Sequence, residues 1–151
     1  SSPVPAAAAE QARALIAAGF PQDGPVDLES LALGALLSGY TIDSTHYGLH
    51  HVMSQTLVRL AGAGHGPANT ALLPHTARAL SRRAHGGVSS EDLATADRLA
   101  LRSGATSLEA IGVQREQLAP CAAAAASRAE LDLTPPRADE AELLELYDAA
   151  W

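Results

Sequence analysis

The chain carries six histidines, and four of them fall in one stretch: Gly48-Leu49-His50-His51, then His65-Gly66, then Leu72-Leu73-Pro74-His75. Imidazole is a common ligand for zinc and iron and changes charge near neutral pH, so such a cluster can hold a metal or move a proton. His51 and His65 stand 14 residues apart. The first falls early in an expected helix, and the second follows the glycine-rich turn Ala61-Gly62-Ala63-Gly64. Two antiparallel helices joined in this way bring both imidazoles to one point. Two imidazoles do not complete a metal site, because zinc normally takes three or four protein ligands. His46, His50, Asp43 or another chain would have to supply the rest. His46 and His50 share a helix face only if the helix runs unbroken through Gly48. The competing reading is structural, with partly buried histidines hydrogen-bonded at a helix junction. His75 is expected to pack or cap, and His85 to lie exposed in a glycine-rich loop.

The elements that must position these residues are helical. Hydrophobic residues make up 47% of the 151 positions and aromatic ones only 3%, so alanine and leucine must build the core through closely approaching helices. The length suits one domain, and residues 1–151 are read as a single helical domain. Pro5 to Ala18 forms an alanine-rich helix. Asp27 caps a second, with Leu28, Leu31, Leu36 and Leu37 at helical spacing and with Gly34, Ser38 and Gly39 small enough for close backbone approach. A third helix runs from Leu49 to Leu60. The next has Pro67 in its first turn and continues to Arg83, with a kink expected at Pro74. Ser89 with Asp92 forms a capping box for a helix through Arg102, and Thr106 with Glu109 repeats the pattern for a short helix ending at Gly112. Gln114 to Arg128 is helical. After Thr134-Pro135-Pro136, Asp139 with Glu142 opens a last helix, Leu143 to Trp151. Asp139, Glu140, Glu142 and Glu145 are expected on its solvated face.

Several function classes are excluded. All ten basic residues are arginine, the net charge is −7, and no basic stripe occurs, which argues against nucleic-acid binding. The lone Cys121 rules out an internal disulfide framework and a cysteine zinc cage, and it reads as a buried helix position. No apolar run is long enough to span a membrane and no basic leader is visible, so a cytoplasmic setting is the expectation. There is no Gly-x-Ser-x-Gly, no phosphate loop and no dinucleotide fingerprint after a strand.

The segment Gly48-Leu49-His50-His51-Val52-Met53, the step to His65, and His65-Gly66-x-Ala68-Asn69-x-x-Leu72-Leu73-Pro74-His75 resemble the core of the iron-containing alcohol dehydrogenases. The doubled His50-His51 is closest to the maleylacetate reductase branch. Ser103 to Val113 and Thr134-Pro135-Pro136-Arg137 through Trp151 resemble later segments of that family in the right order. The resemblance implies the all-α, C-terminal multi-helix domain of the dehydroquinate synthase-like fold, without the nucleotide-binding α/β domain and without the first two metal ligands that precede it. It implies His51 and His65 as ligands for Fe²⁺ or Zn²⁺, and His50 and Gln55 in the substrate cleft. Gln55 stands where the family has a histidine, and glutamine cannot titrate as imidazole does. NAD(P)H would bind only with a partner nucleotide-binding half, and a second copy of the chain is the other partner considered. The family activity, carbonyl reduction by hydride transfer on a small molecule, would then need that half. A stand-alone domain that binds a small molecule, or works as a non-redox acid–base enzyme through the histidine cleft, is the alternative. A purely structural or interaction module is the third.

Overall fold

The computed structural model describes residues 2–83 and 87–151. Among them are seven α-helices and no strand: α1 (Pro3–Gly19), α2 (Leu28–Thr45), α3 (Leu49–Leu60), α4 (His65–Ser81), α5 (Ser90–Ser103), α6 (Leu118–Ala126) and α7 (Glu140–Ala150). The all-α expectation is met. No helix among the described residues is long and apolar enough to cross a membrane. Contacts divide the chain into two compact units, Ser1–His46 and Tyr47–Trp151.

The first unit is a helical hairpin. The Asp27 carboxylate accepts from the backbone N–H groups of Glu29 and Ser30 at 3.0 and 3.3 Å, satisfying donors the first turn of α2 leaves open. Hydrogen bonds to Ser30, that of its hydroxyl foremost, hold the Asp27 pKa below the ordinary value. Close approach rests on Gly34, where a Cβ would come within 2.8 Å of Ile16 Cγ1. Gly39 has open space around it instead, so its small size is not used there.

The second unit contains one hydrophobic core, and α3 lies deepest in it. Leu49, Val52, Met53 and Leu57 are fully buried, against α4 and α6. The wall opposite is α7, whose buried Tyr147 donates its hydroxyl to the Met53 carbonyl at 2.8 Å. Burial pushes the Tyr147 pKa up, so the phenol stays a donor. Cys121 is buried and unpaired, as expected. Trp151 closes the chain by donating Nε1–H to the Val113 carbonyl at 3.1 Å.

Several boundaries differ from the sequence reading. α4 begins at His65, two residues before Pro67, and ends at Ser81 with Pro74 inside it. Thr106 to Gly112 forms turns rather than a helix, and Ser107, not Thr106, accepts the backbone N–H there, from Ala110 at 3.1 Å. The Gln114–Arg128 helix is divided into a 3-10 turn, Arg115–Gln117, followed by α6. Pro120 lacks the N–H that a continuous α-helix would need at that point, so the α geometry can begin only in its own first turn. The capping box of Ser89 with Asp92 forms as read, and Asp139 accepts from the Glu142 N–H at 2.8 Å. Glu142 departs from the solvated acidic face: it pairs at 2.7 Å with Arg83, whose side chain is only 7% exposed.

The 3-10 segment Ala129–Leu133 has no counterpart in the sequence reading, and it sets where α3 starts. Thr134, just after it, accepts the Leu49 N–H at 3.2 Å. Gly48 lies so close that a Cβ would meet Thr134 Cγ2 at 2.6 Å. Gly48→Ala is therefore expected to destabilise the chain by about 1–3 kcal/mol, as overpacking does. Urea denaturation measures it, and an unchanged midpoint would contradict the packing described.

Candidate functional site

His50 and His51 are the second and third residues of α3, directly after that anchored start. Successive helix positions point about 100° apart, so the two rings take different surroundings. They still touch edge to face, with centroids 5.2 Å apart and planes at 86°. His50 turns toward α4, where its Nδ1 lies 2.8 Å from the hydroxyl of Thr76. Thr76 is fully buried and also reaches the Leu72 carbonyl at 3.0 Å. Burial of the imidazole, then the neighbouring His51, bring the His50 pKa down to about 4, with Asn69 opposing and His65 adding to the fall. His50 is thus neutral at physiological pH.

His51 is half-buried and faces the other way, its ring centroid 5.9 Å from that of Tyr47. Burial lowers its pKa, and His65 lowers it further by charge repulsion. His65 opens α4 and is exposed. Asn69 donates to the His65 carbonyl at 2.7 Å. The glycine turn thus brings His50, His51 and His65 within electrostatic reach of one another. His46 does not join them through a shared helix: α2 ends at Thr45, and His46 takes a positive φ of 61°. Gln55, one turn after His51, has a buried Oε1 with no hydrogen-bond partner among the described residues. Leaving a buried acceptor unpaired costs about 1–3 kcal/mol, which marks the position as one a ligand donor would relieve.

Among the described residues no group of three or more His, Cys, Asp or Glu side chains could hold a metal ion. The pair His51 and His65 suits part of a donor set for zinc or iron and does not complete one. His75 lies apart, in an open groove of about 610 Å³ between α4 and α5, beside Arg78 and Asp97. Burial, then Arg78, lower its pKa, while Asp97 raises it. His85 falls outside the described residues. Sequence reasoning missed Thr76 and Tyr47. Asn69 was visible within the motif but without its influence on His50, whose pKa it raises.

No family model matches the chain, and no curated protein does. Among solved structures, the chain is similar to a 1,3-propanediol oxidoreductase, with a TM-score of 0.83 and 26% identity. The likeness covers 100% of this chain and 46% of that one, so the chain spans less than half the length of the protein it matches. Its helices match the helical part of the iron-containing alcohol dehydrogenase fold.

The partly buried, neutral His50 makes stability depend on pH. Its folded pKa of about 4 lies below the ordinary 6.5, so the unfolded chain binds the proton more readily. Stability fully present above pH 6.5 is lost as the pH falls through the folded value, by an amount on the order of 3 kcal/mol. Urea denaturation between pH 7 and 4 is expected to show this slope, and His50→Gln to flatten it. A His50 ring titrating near 6.5 by NMR would contradict the burial described.

Proposed function

We propose that the chain is the helical, substrate-binding half of an NAD(P)-dependent oxidoreductase of the alcohol dehydrogenase or maleylacetate reductase type. It reduces a carbonyl by hydride transfer once joined to a nucleotide-binding half. The observation that carries the reading is a fold shared along its whole length with an oxidoreductase, with His50, His51 and His65 in electrostatic reach of one another at the α3–α4 turn.

His51 and His65 would hold Fe²⁺ or Zn²⁺ together with donors from the other half. That ion, when bound, supplies a Lewis acid that polarises the substrate carbonyl. His50 stays neutral and fixed against Thr76, presenting an uncharged ring to the substrate cleft. Gln55 does not relay a proton. Its orphaned Oε1 accepts a hydrogen bond from a substrate hydroxyl or a water and so orients it. The cytoplasm is the setting we propose.

A second reading is favoured by Gln55 and by the incomplete donor set: a domain that binds a small molecule, or does acid–base chemistry, through the histidines without redox work. NAD(P)H oxidation by the chain joined to its nucleotide-binding half separates the two. His51→Ala and His65→Ala are each expected to lower kcat/KM more than roughly 100-fold, the several kcal/mol that a Lewis acid contributes. Full activity in both variants would refute the assignment.

A further inference from the structure

We propose that Tyr47 is the positioning residue for His51, held in place by the Arg128–Glu130 ion pair. The inference rests on the reading of His51 as a metal donor. A metal-binding imidazole is ordinarily oriented by a hydrogen bond from its second ring nitrogen to a carboxylate or carbonyl. Among the described residues neither ring nitrogen of His51 has such a bond. The side-chain hydrogen bond this residue receives goes to its backbone carbonyl, which accepts from the Ser54 hydroxyl at 3.3 Å. What fixes the ring is its neighbours: the His50 edge on one side and the tilted Tyr47 ring on the other, at 42°.

Tyr47 is in turn held from its far end. Its hydroxyl accepts from Arg128 Nη2 at 3.2 Å and donates to Glu130 Oε1 at 3.4 Å. Arg128 and Glu130 form a two-point pair, Nη2 to Oε1 at 2.5 Å and Nε to Oε2 at 3.1 Å. The geometry is that of the stronger, planar guanidinium–carboxylate bonds. The segment bearing them is braced by Arg137, which donates to the carbonyls of Ala126 and Arg128 at 2.9 and 3.1 Å. It is the same segment whose end accepts the Leu49 N–H. The backbone of α3 and the ring of His51 are therefore referenced to one support. A tyrosine serving only to tie down the start of α3 would not need its ring against the imidazole.

The test is zinc titration of the chain joined to its nucleotide-binding half, followed by NMR of the histidine ring protons, with thermal unfolding as the control for stability. In the wild type, zinc is expected to shift His51 and His65 together. Tyr47→Leu, which removes ring and hydroxyl, is expected to weaken zinc binding by about 10-fold or more, the usual effect of losing an orienting partner. Tyr47→Phe keeps the ring contact and is expected to recover part of the affinity. Glu130→Gln weakens the clamp without touching the ring and is expected to give a loss like that of Tyr47→Phe, so the proposal stays testable if Tyr47→Leu does not fold. Wild-type affinity in Tyr47→Leu or, if that variant is unfolded, in both Tyr47→Phe and Glu130→Gln overturns the positioning role and leaves the metal reading standing. A wild-type His51 that zinc does not shift removes both.

Discussion

The site depends on how the first turn of α3 is seated. Gly48 passes against Thr134 where no Cβ would fit, and the Leu49 N–H is satisfied by the Thr134 hydroxyl. An N-terminal helical N–H has no partner within its own helix, so a side chain 85 residues away supplies one here. Leu49, Val52, Met53 and Leu57 then follow into the core. With one face of α3 committed to packing, the polar side chains left outside the core in its first two turns are His50, His51 and Gln55.

Burial gives those three positions different chemical characters. His50 is desolvated and bonded to an uncharged hydroxyl, which favours neutral imidazole over imidazolium. His51, half-exposed, has no hydrogen bond at either ring nitrogen among the described residues, and exposed His65 opens α4 after the glycine turn. Gln55 carries an unmet acceptor. Local violations of the rule that buried polar groups are paired concentrate at functional positions. Two imidazoles and one orphaned amide are the kind of surface a second half could complete.

What the sequence made legible was short in range. The limits of α3, the capping box at Ser89 and the caps at Asp27 and Asp139 follow from helical periodicity and from side chains bonding two or three residues away. The electrostatic nearness of His51 and His65 follows from helix, glycine turn, helix. The partners of these histidines were not legible. Thr76 meets His50 across 26 positions, and Arg128 meets the Tyr47 hydroxyl across 81. Contacts so distant in sequence leave no periodic trace, and a lone tyrosine before a glycine reads as a loop residue. Thr106 was misread for a related reason: a capping pattern permits a helix, but too few apolar residues follow it to bury one.

X-ray absorption at the metal edge, on the chain joined to its nucleotide-binding half and loaded with zinc, reads the donor set directly. Two imidazole nitrogens beside oxygen donors, falling to one in either His51→Ala or His65→Ala, is the result expected of a site shared between the halves. A zinc shell without imidazole, or one unchanged by both substitutions, would contradict it.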